Sequence, residues 1–344
     1  MRHINIPIFI PHLGCPNTCV FCNQRSISGV RSFDAESVRP IIEDHLKTCL
    51  PGDEVEIAFF GGSFTGIDRK LMTELLQIAY GYVEKGSVSS VRCSTRPDYI
   101  DEEVLSILKK YGVRAVELGI QSTSETVLKS CKRGHDSLCI EMAAKLLLSY
   151  GFDFVGQMMI GLPGSTSESE IKTAQTIIKL GAVGARIYPT VVFRDTELCL
   201  MTEAGIYKPL SVDEAADRSA AVLLRFLKAG VTVIRIGLCA NENLDSDKTY
   251  YAGPNHPAIG EITINKLYYD LIIEAASKLT LNSSDILRVY VSKGSLSKAI
   301  GQRGRNKIGL KDALGVKEIR ITESDTLTGY GIKLQIETGE KQCI

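Results

Sequence analysis

EVEIAFFGGSF, residues 54–64, is a short apolar run that stops on a pair of glycines, and the same arrangement recurs along the first two-thirds of the chain. SVRCS (90–94) runs into STRPD (94–98), VRAVELGIQ (113–121) into Ser122, DFVGQMMI (153–160) into GLPG (161–164), and VGARIYP (183–189) into YPT (188–190). With INIPIFI (4–10) ahead of them, these segments read as six strands. The intervening stretches 35–49, 68–84, 101–111, 136–150 and 167–180 carry apolar residues at spacings of three and four, the pattern of amphipathic helices. Alternating strands and helices predict an α/β fold with a parallel sheet. Each polar turn follows a strand, so the turns gather on one face, where parallel barrels assemble their sites. For any single turn, glycine and proline punctuating a strand end is an equally good account.

The turn after the first strand is of another kind. It reads Cys15-Pro-Asn-Thr-Cys19-Val-Phe-Cys22, a C-x3-C-x2-C spacing. Three thiolates on one tight loop can reach three corners of a [4Fe–4S] cube and leave the fourth iron without a protein ligand. The amino and carboxylate groups of S-adenosylmethionine can chelate that open iron and bring the sulfonium to a one-electron reductant. A zinc site or three unrelated thiols are the competing readings. Structural zinc takes four ligands, and the nearest further candidate, His12, is only three residues upstream of Cys15.

Composition bounds the rest. The 344 residues are 44% hydrophobic and 23% charged, with 40 basic and 40 acidic side chains, as in ordinary globular proteins. Net charge therefore points to no nucleic-acid partner by itself. The apolar run near the N-terminus is interrupted by Pro7 and ended by Pro11, too short for a signal peptide or a membrane span. A cytoplasmic location is expected, with no membrane association. Ten irregularly spaced cysteines then read as thiols in a reducing compartment. Cys49, Cys93, Cys131, Cys139, Cys199, Cys239 and Cys343 show no ligand spacing and are expected to be small buried hydrophobes. Cys131, beside KRGHD, is the one expected near the site.

The C-x3-C-x-aromatic-C motif resembles that of the radical S-adenosylmethionine superfamily, whose fold is a partial (β/α)6 barrel. GGSFTG, STRPDYI, ELGIQS, KRGHD, GLPG and ARIYPTVV extend the similarity to the radical half of the Elongator catalytic subunit, an enzyme of wobble-uridine tRNA modification. These strings span about residues 9–195, and a weaker similarity runs to about 236. Elongator subunits have a longer gap between their first two cysteines and carry an acetyltransferase domain after the radical domain. This chain is expected to end too soon for one, so acetyl-coenzyme A is not implied.

The resemblance implies a role for each turn. Gly61, Gly62 and Ser63 would approach the methionine amino group of the cofactor. Arg96 would meet its carboxylate or a substrate anion. Glu117 and Gln121, four apart on one strand and so on one face, would lie near the methionine amino group and the ribose; a structural salt bridge is the alternative for Glu117. Phe21 would lie against adenine, with the backbone of Gly161, Leu162, Pro163 and Gly164 at its edge, and plain packing is the alternative. Arg133, Gly134 and His135 form the family's RGH element, read as a substrate-proximal or helix-joining loop.

After about residue 240 the chain turns polar, and residues 241–261 read as a linker or lid between a barrel at 1–240 and a small α+β domain at 262–344. That domain is expected to run helix (262–280), strand ILRVYVS (286–292), two short helices around GQRG (301–304), and strands KEIRIT (317–322) and GIKLQIE (331–337). It resembles a KH domain, in which a GxxG loop clamps a nucleic-acid backbone. Gly301 and Gly304 would allow close approach to phosphates, with Gln302 and Arg303 between them and Lys298, Arg305 and Lys307 alongside. Residues 288–320 hold nine basic side chains against two acidic ones, a local patch suited to RNA. A helix–turn–helix junction with a solvated basic face is the plainer reading.

The expectation is a radical enzyme that cleaves S-adenosylmethionine reductively and modifies RNA, with tRNA foremost, fed by an electron donor such as a ferredoxin or flavodoxin. Its rivals are a radical enzyme acting on a small metabolite such as a porphyrinogen, and a non-catalytic RNA-binding iron–sulfur protein.

Overall fold

The computed structural model describes residues 2–10, 19–22, 33–238 and 249–337. The chain divides into two compact units, Met1–Ser211 with Arg225–Asn255, and Val212–Leu224 with His256–Ile344.

In the first unit β1 (His3–Ile10), β2 (Glu54–Gly61), β3 (Ser90–Thr95), β4 (Val113–Gln121), β5 (Asp153–Ile160) and β6 (Gly184–Pro189) stand side by side in chain order, each parallel to the next. Between them run α1 (Val38–Leu46), α2 (Arg69–Glu84), α3 (Glu102–Lys110), α4 (Glu125–Ser130), α5 (Ser137–Ser149) and α6 (Ser167–Lys179). After the two-residue β7 (Val192–Phe193) and α7 (Glu197–Glu203) comes α8 (Val212–Lys228), most of which belongs to the second unit, and then β8 (Thr232–Ile236), which pairs parallel with β6. The sheet thus has seven strands rather than six. Its outermost strands, β1 and β8, do not pair with each other, so the barrel is partial.

Local signals start the helices where the sequence reading puts them. Asp68 accepts from the backbone N–H groups of Lys70 and Leu71 to cap α2, and Asp101 accepts from Val104 at 2.7 Å to cap α3. Thr166 and Ser169 form a reciprocal capping box at α6. Within the stretch read as a linker, Tyr250–Ala252 (β9) pairs antiparallel with β7, and α9 (Ile259–Ala276) begins three residues before the expected start of the small domain. No helix among the described residues is long and apolar enough to cross a membrane.

Alternation along the strands sorts side chains onto two faces. Val55, Ile57, Phe59, Val91, Cys93, Val116, Leu118 and Phe154 are buried on one face, where a methyl group on Gly156 would collide with Ile177 of α6. The other face carries a polar network. Glu117, fully buried, accepts from Arg186 Nε (2.7 Å) and Nη2 (3.0 Å), from Arg92 Nη1 (3.1 Å) and from Gln157 Nε2 (2.8 Å). Arg92 also pairs with Glu56, which accepts from Ser90 at 2.5 Å and contacts His3 at 2.8 Å. Burial works to raise the Glu56 pKa, and Ser90, Arg92 and His3 together outweigh it and hold the carboxyl below its ordinary range. Arg186 lies over the Phe60 ring, 5.2 Å from its centroid.

The second unit has its own core. β10 (Ile286–Ser292) is the central strand, parallel to β11 (Glu318–Ser324) and antiparallel to β12 (Ile332–Glu337). Leu287, Val289 and Val291 of β10 pack with Tyr268 and Ile272 of α9 and with Ile319. Between β10 and β11 the chain forms α10 (Leu296–Ile300), the GQRG turn and α11 (Arg305–Leu314).

Removing one member of a buried charge network leaves the others uncompensated, at a cost of about 3 to 5 kcal/mol. Glu117→Gln, which keeps the shape and deletes the charge, should therefore lower the stability of the first unit by about 3 kcal/mol in urea unfolding. A loss below about 1 kcal/mol would mean that Arg92 and Arg186 find other partners.

Candidate active site at the carboxyl ends of the strands

The segment Cys19–Cys22 is held at three points. The Cys22 N–H donates to the Cys19 carbonyl (3.0 Å), the Val20 N–H to the Cys131 carbonyl (3.2 Å), and the Leu198 N–H to the Val20 carbonyl (2.8 Å). Val20 is buried among Val127, Cys131, Leu162, Val192 and Leu198, and Phe21 packs against this cluster. Phe21 and Leu162, expected to flank one adenine, thus belong to a single apolar group. Cys15, the third expected ligand, lies outside the described residues, as do His12, Cys239 and Cys343. Among the described residues no three metal-ligating side chains converge.

The Cys19 sulfur is buried and faces two guanidinium groups: Arg133 Nη1 is 3.3 Å away and Arg96 Nη1 3.8 Å. Arg96 forks onto Asp98 (2.8 and 2.9 Å) and donates to the Arg133 carbonyl. Burial works to raise the Asp98 pKa, and the Arg96 fork outweighs it, leaving Asp98 below the usual carboxylate range. Arg133 gives Nη2 to the Gly119 carbonyl at 2.5 Å. Its Nε is buried with no partner among the described residues. Its loop is set by left-handed conformations at Lys132 (φ 52°) and Gly134 (φ 76°), and its N–H donates to Leu128. Sequence reasoning put Arg133 in a substrate-proximal or helix-joining loop and Arg96 at the cofactor carboxylate or a substrate anion; in the structure both guanidiniums face Cys19.

His135, in the same loop, has both ring nitrogens buried without partners among the described residues, and its pKa is pushed down to about 4 by burial and then by Arg133 and Arg96. Cys131 is fully buried, and burial followed by the nearby Cys19 raises its thiol to about 12. Cys93 and Cys199 are buried too, whereas Cys49 and Cys139 are half-buried.

The remaining turns differ in what demands their glycines. Gly61 (φ 110°) pairs with Ile10, and a methyl group there would run into the Ile10 carbonyl, which also accepts from the Gly62 N–H at 3.2 Å. Close packing of β1 on β2 thus requires Gly61 before any ligand does. Ser63 is buried, and Thr65 behind it bonds the Tyr99 carbonyl (2.8 Å), tying this turn to the one after β3. Gly161 (φ 78°) has its N–H on buried Glu170 (2.7 Å) and its carbonyl on the Tyr207 hydroxyl (2.6 Å), so side chains brace the turn that continues through Leu162 to Gly164.

Strand β4 carries the two residues expected to share a face, but its pairing with β5 skips a residue between Gly119 and Gln121, and Gln121 is left-handed (φ 65°). Strict alternation therefore does not hold between Glu117 and Gln121. Four donors from Arg92, Gln157 and Arg186 occupy the Glu117 oxygens, so the salt-bridge alternative describes its contacts. Gln121 Oε1 is buried without a partner among the described residues. A methyl group on Gly119 would lie 3.1 Å from Gln121 Nε2 and 3.6 Å from Arg133 Nη2. An orphan acceptor and an orphan donor thus belong to side chains that flank one glycine, and a ribose hydroxyl, which both donates and accepts, suits the acceptor.

In the second unit, Gln302, Arg303, Arg305 and Lys307 are exposed and Lys298 is half-buried. Arg305 is 3.4 Å from Asp213. Gly301 (φ 76°), Arg303 (φ 53°) and Gly304 (φ 75°) all adopt positive φ. A methyl group on Gly301 would press on Asn306 at 3.0 Å, and the Asn306 amide donates to the carbonyls of Asn265 (2.6 Å) and Ala299 (3.1 Å).

Comparison with known proteins accords with this geometry. Residues 9–177 match the Radical SAM superfamily and residues 182–269 the Radical_SAM C-terminal domain. A tRNA uridine(34) acetyltransferase of Methanocaldococcus infernus is 30% identical over 199 residues, covering 52% of this chain and 37% of that protein. An uncharacterized protein of Methanocaldococcus jannaschii is 30% identical over 224 residues, covering 61% and 67%. Elongator complex protein 3 of Dictyostelium discoideum is 28% identical over 254 residues, covering 62% and 45%. The chain thus spans from about a third to two thirds of the length of these relatives. The solved structure of an N-terminally truncated archaeal Elp3 of Methanocaldococcus infernus shares the fold, with a TM-score of 0.62 at 22% identity over 81% of this chain and 68% of that one. A cysteine turn at the mouth of a parallel half-barrel and a matching profile over that same region have one common explanation: the chain belongs to the radical S-adenosylmethionine superfamily.

Proposed function

We propose that this protein holds a [4Fe–4S] cluster on Cys15, Cys19 and Cys22, binds S-adenosylmethionine beside it, and modifies RNA, with tRNA as the substrate class. The observation that carries the reading is the buried Cys19 sulfur under two guanidiniums, on a turn shared with Cys22 at the carboxyl ends of the strands. The donor set suits an anionic iron–sulfur group, since thiolates bring negative charge and the arginines balance it. A cluster bound there would supply one electron to the sulfonium, so that carbon–sulfur cleavage would give methionine and a 5′-deoxyadenosyl radical.

The chain's own residues then orient and shield. Phe21 and Leu162 offer an apolar wall for adenine, Gln121 Oε1 an acceptor for a ribose hydroxyl, and the Gly61–Ser63 turn a bare backbone for the methionine end. Arg96 and Glu117 are left out of the cofactor contacts because their polar atoms serve Asp98, Arg133, Arg92 and Arg186. An electron donor such as a ferredoxin or flavodoxin completes the system. The RNA substrate is supported by the relatives named for tRNA uridine(34) and by the exposed basic GQRG turn. Acetyl transfer is not part of the proposal, because the match covers 37% of that relative.

Replacing Cys19 or Cys22 by alanine should reduce iron to background after anaerobic reconstitution, whereas Cys49→Ala should load as the parent does. Equal iron in parent and motif variants would end the cluster reading. The substrate is tested by comparing modified nucleosides in RNA from cells with and without the protein, where identical profiles would count against RNA.

For docking, Gln302→Asp with Arg303→Asp places two negative charges where phosphates would sit. Affinity for tRNA should fall by about tenfold or more with a shallower salt dependence, because fewer counterions are released on binding. Cluster content should not change. Gel shifts at two salt concentrations that match the parent would remove the GQRG turn from the interface.

A further inference from the structure

Arg133 is a buried cation with no carboxylate among its described contacts. It is 5% exposed, and its side-chain hydrogen bonds go to the Gly119 carbonyl and the Cys19 sulfur, while Nε has no partner among the described residues. Arg96 differs, since Asp98 neutralises it through two contacts. A buried charge is tolerated when an opposite charge lies beside it, and among the described residues the one candidate in contact with Arg133 is the sulfur of Cys19. The unmatched Nε repeats the point, because a buried donor without an acceptor is costly. The position is also braced: Arg96 holds the Arg133 carbonyl, Leu128 accepts its N–H, and Gly119 receives Nη2. Such bracing aims a charge and does not merely fill space.

We infer that Arg133 is the counter-ion of the iron–sulfur centre, donating a charge-assisted hydrogen bond to the Cys19 ligand and thereby setting the reduction potential of the cluster. This rests on the cluster reading above. One-electron reduction adds a negative charge to the centre. A guanidinium 3.3 Å from a ligating sulfur favours the more negative state, and hydrogen bonds to sulfur act in the same direction. The potential is therefore raised by Arg133 and falls when it is removed. Lysine would keep a charge but cannot fork between Gly119 and Cys19, since a point ammonium lacks the planar array of donors.

The test is a dye-mediated redox titration of the reconstituted full chain, followed by electron paramagnetic resonance of the reduced cluster, with iron content measured alongside. Arg133→Met should shift the reduction equilibrium at least tenfold toward the oxidised form, about 59 mV downward for a one-electron couple. Arg133→Lys should fall between the two. Lys132→Gln, which removes an exposed charge paired with Glu197 one residue away, should leave the midpoint unchanged. A loaded Arg133→Met protein with the parental midpoint overturns the inference. If that variant does not load iron, Arg133→Lys decides: a lowered midpoint upholds the role, and a parental one removes it. A parent protein that yields no cluster signal would instead sink the proposed function, so the two failures are distinct.

Discussion

A carboxylate with no exposed surface, gripped by two arginines and a glutamine from three other strands, is the constraint around which the first unit is organised. Glu117 on β4 draws together Arg92 from β3, Gln157 from β5 and Arg186 from β6. Apolar packing alone would tolerate small slips between such strands, because one aliphatic contact replaces another at little cost. An ion network does not, since a shift that parts one pair strands a charge in a low-dielectric interior. The polar inner face thus fixes which strand ends lie level with each other. Everything at the mouth of the barrel is positioned from there.

The mouth itself is built by turns that brace one another. Thr65 joins the turn after β2 to the one after β3, Arg96 joins the latter to the loop of Arg133, and the Cys131 carbonyl of that loop holds Val20. Glu170 and Tyr207 grip the two polar groups of Gly161. Cys19 therefore sits on a segment fixed from several elements, which the proposed role as a metal ligand requires, since a ligand's orientation matters to the chemistry.

Much of this was legible in the sequence, for identifiable reasons. The six leading strands and four of the helices between them follow from periodicity to within a residue or two, because caps such as Asp101 and Thr166 are written in the chain, whereas α1 is three residues shorter at each end than expected and the short α4 gave no periodic signal. β8 escaped as a sheet member since TVIRI is short and lies at an edge, with Thr232 exposed and Ile234 39% exposed, so it lacks a buried face to read. The site was legible as motifs but not as contacts. Arg133 meets Cys19 across 114 positions of chain, and no local spacing announces such a meeting. Gln121 departs from alternation through a skipped residue in the pairing, an irregularity that period-two reasoning assumes away. Gly61 answers first to the neighbouring strand, so its identity alone cannot report a ligand.

The GQRG turn carries a different lesson. Asn306, buried beneath it, ties Gly301 to α9 and α10 through two carbonyls, while Arg303 holds a backbone conformation that few side chains adopt unaided. A loop fastened in this way has already spent its conformational entropy when the chain folded. A polyanion docking there, as proposed, would meet a preformed mould with no ordering cost in the loop. Discrimination would then lie in the shape of the ligand's backbone, with little room for the loop to adapt to ligands of other shapes.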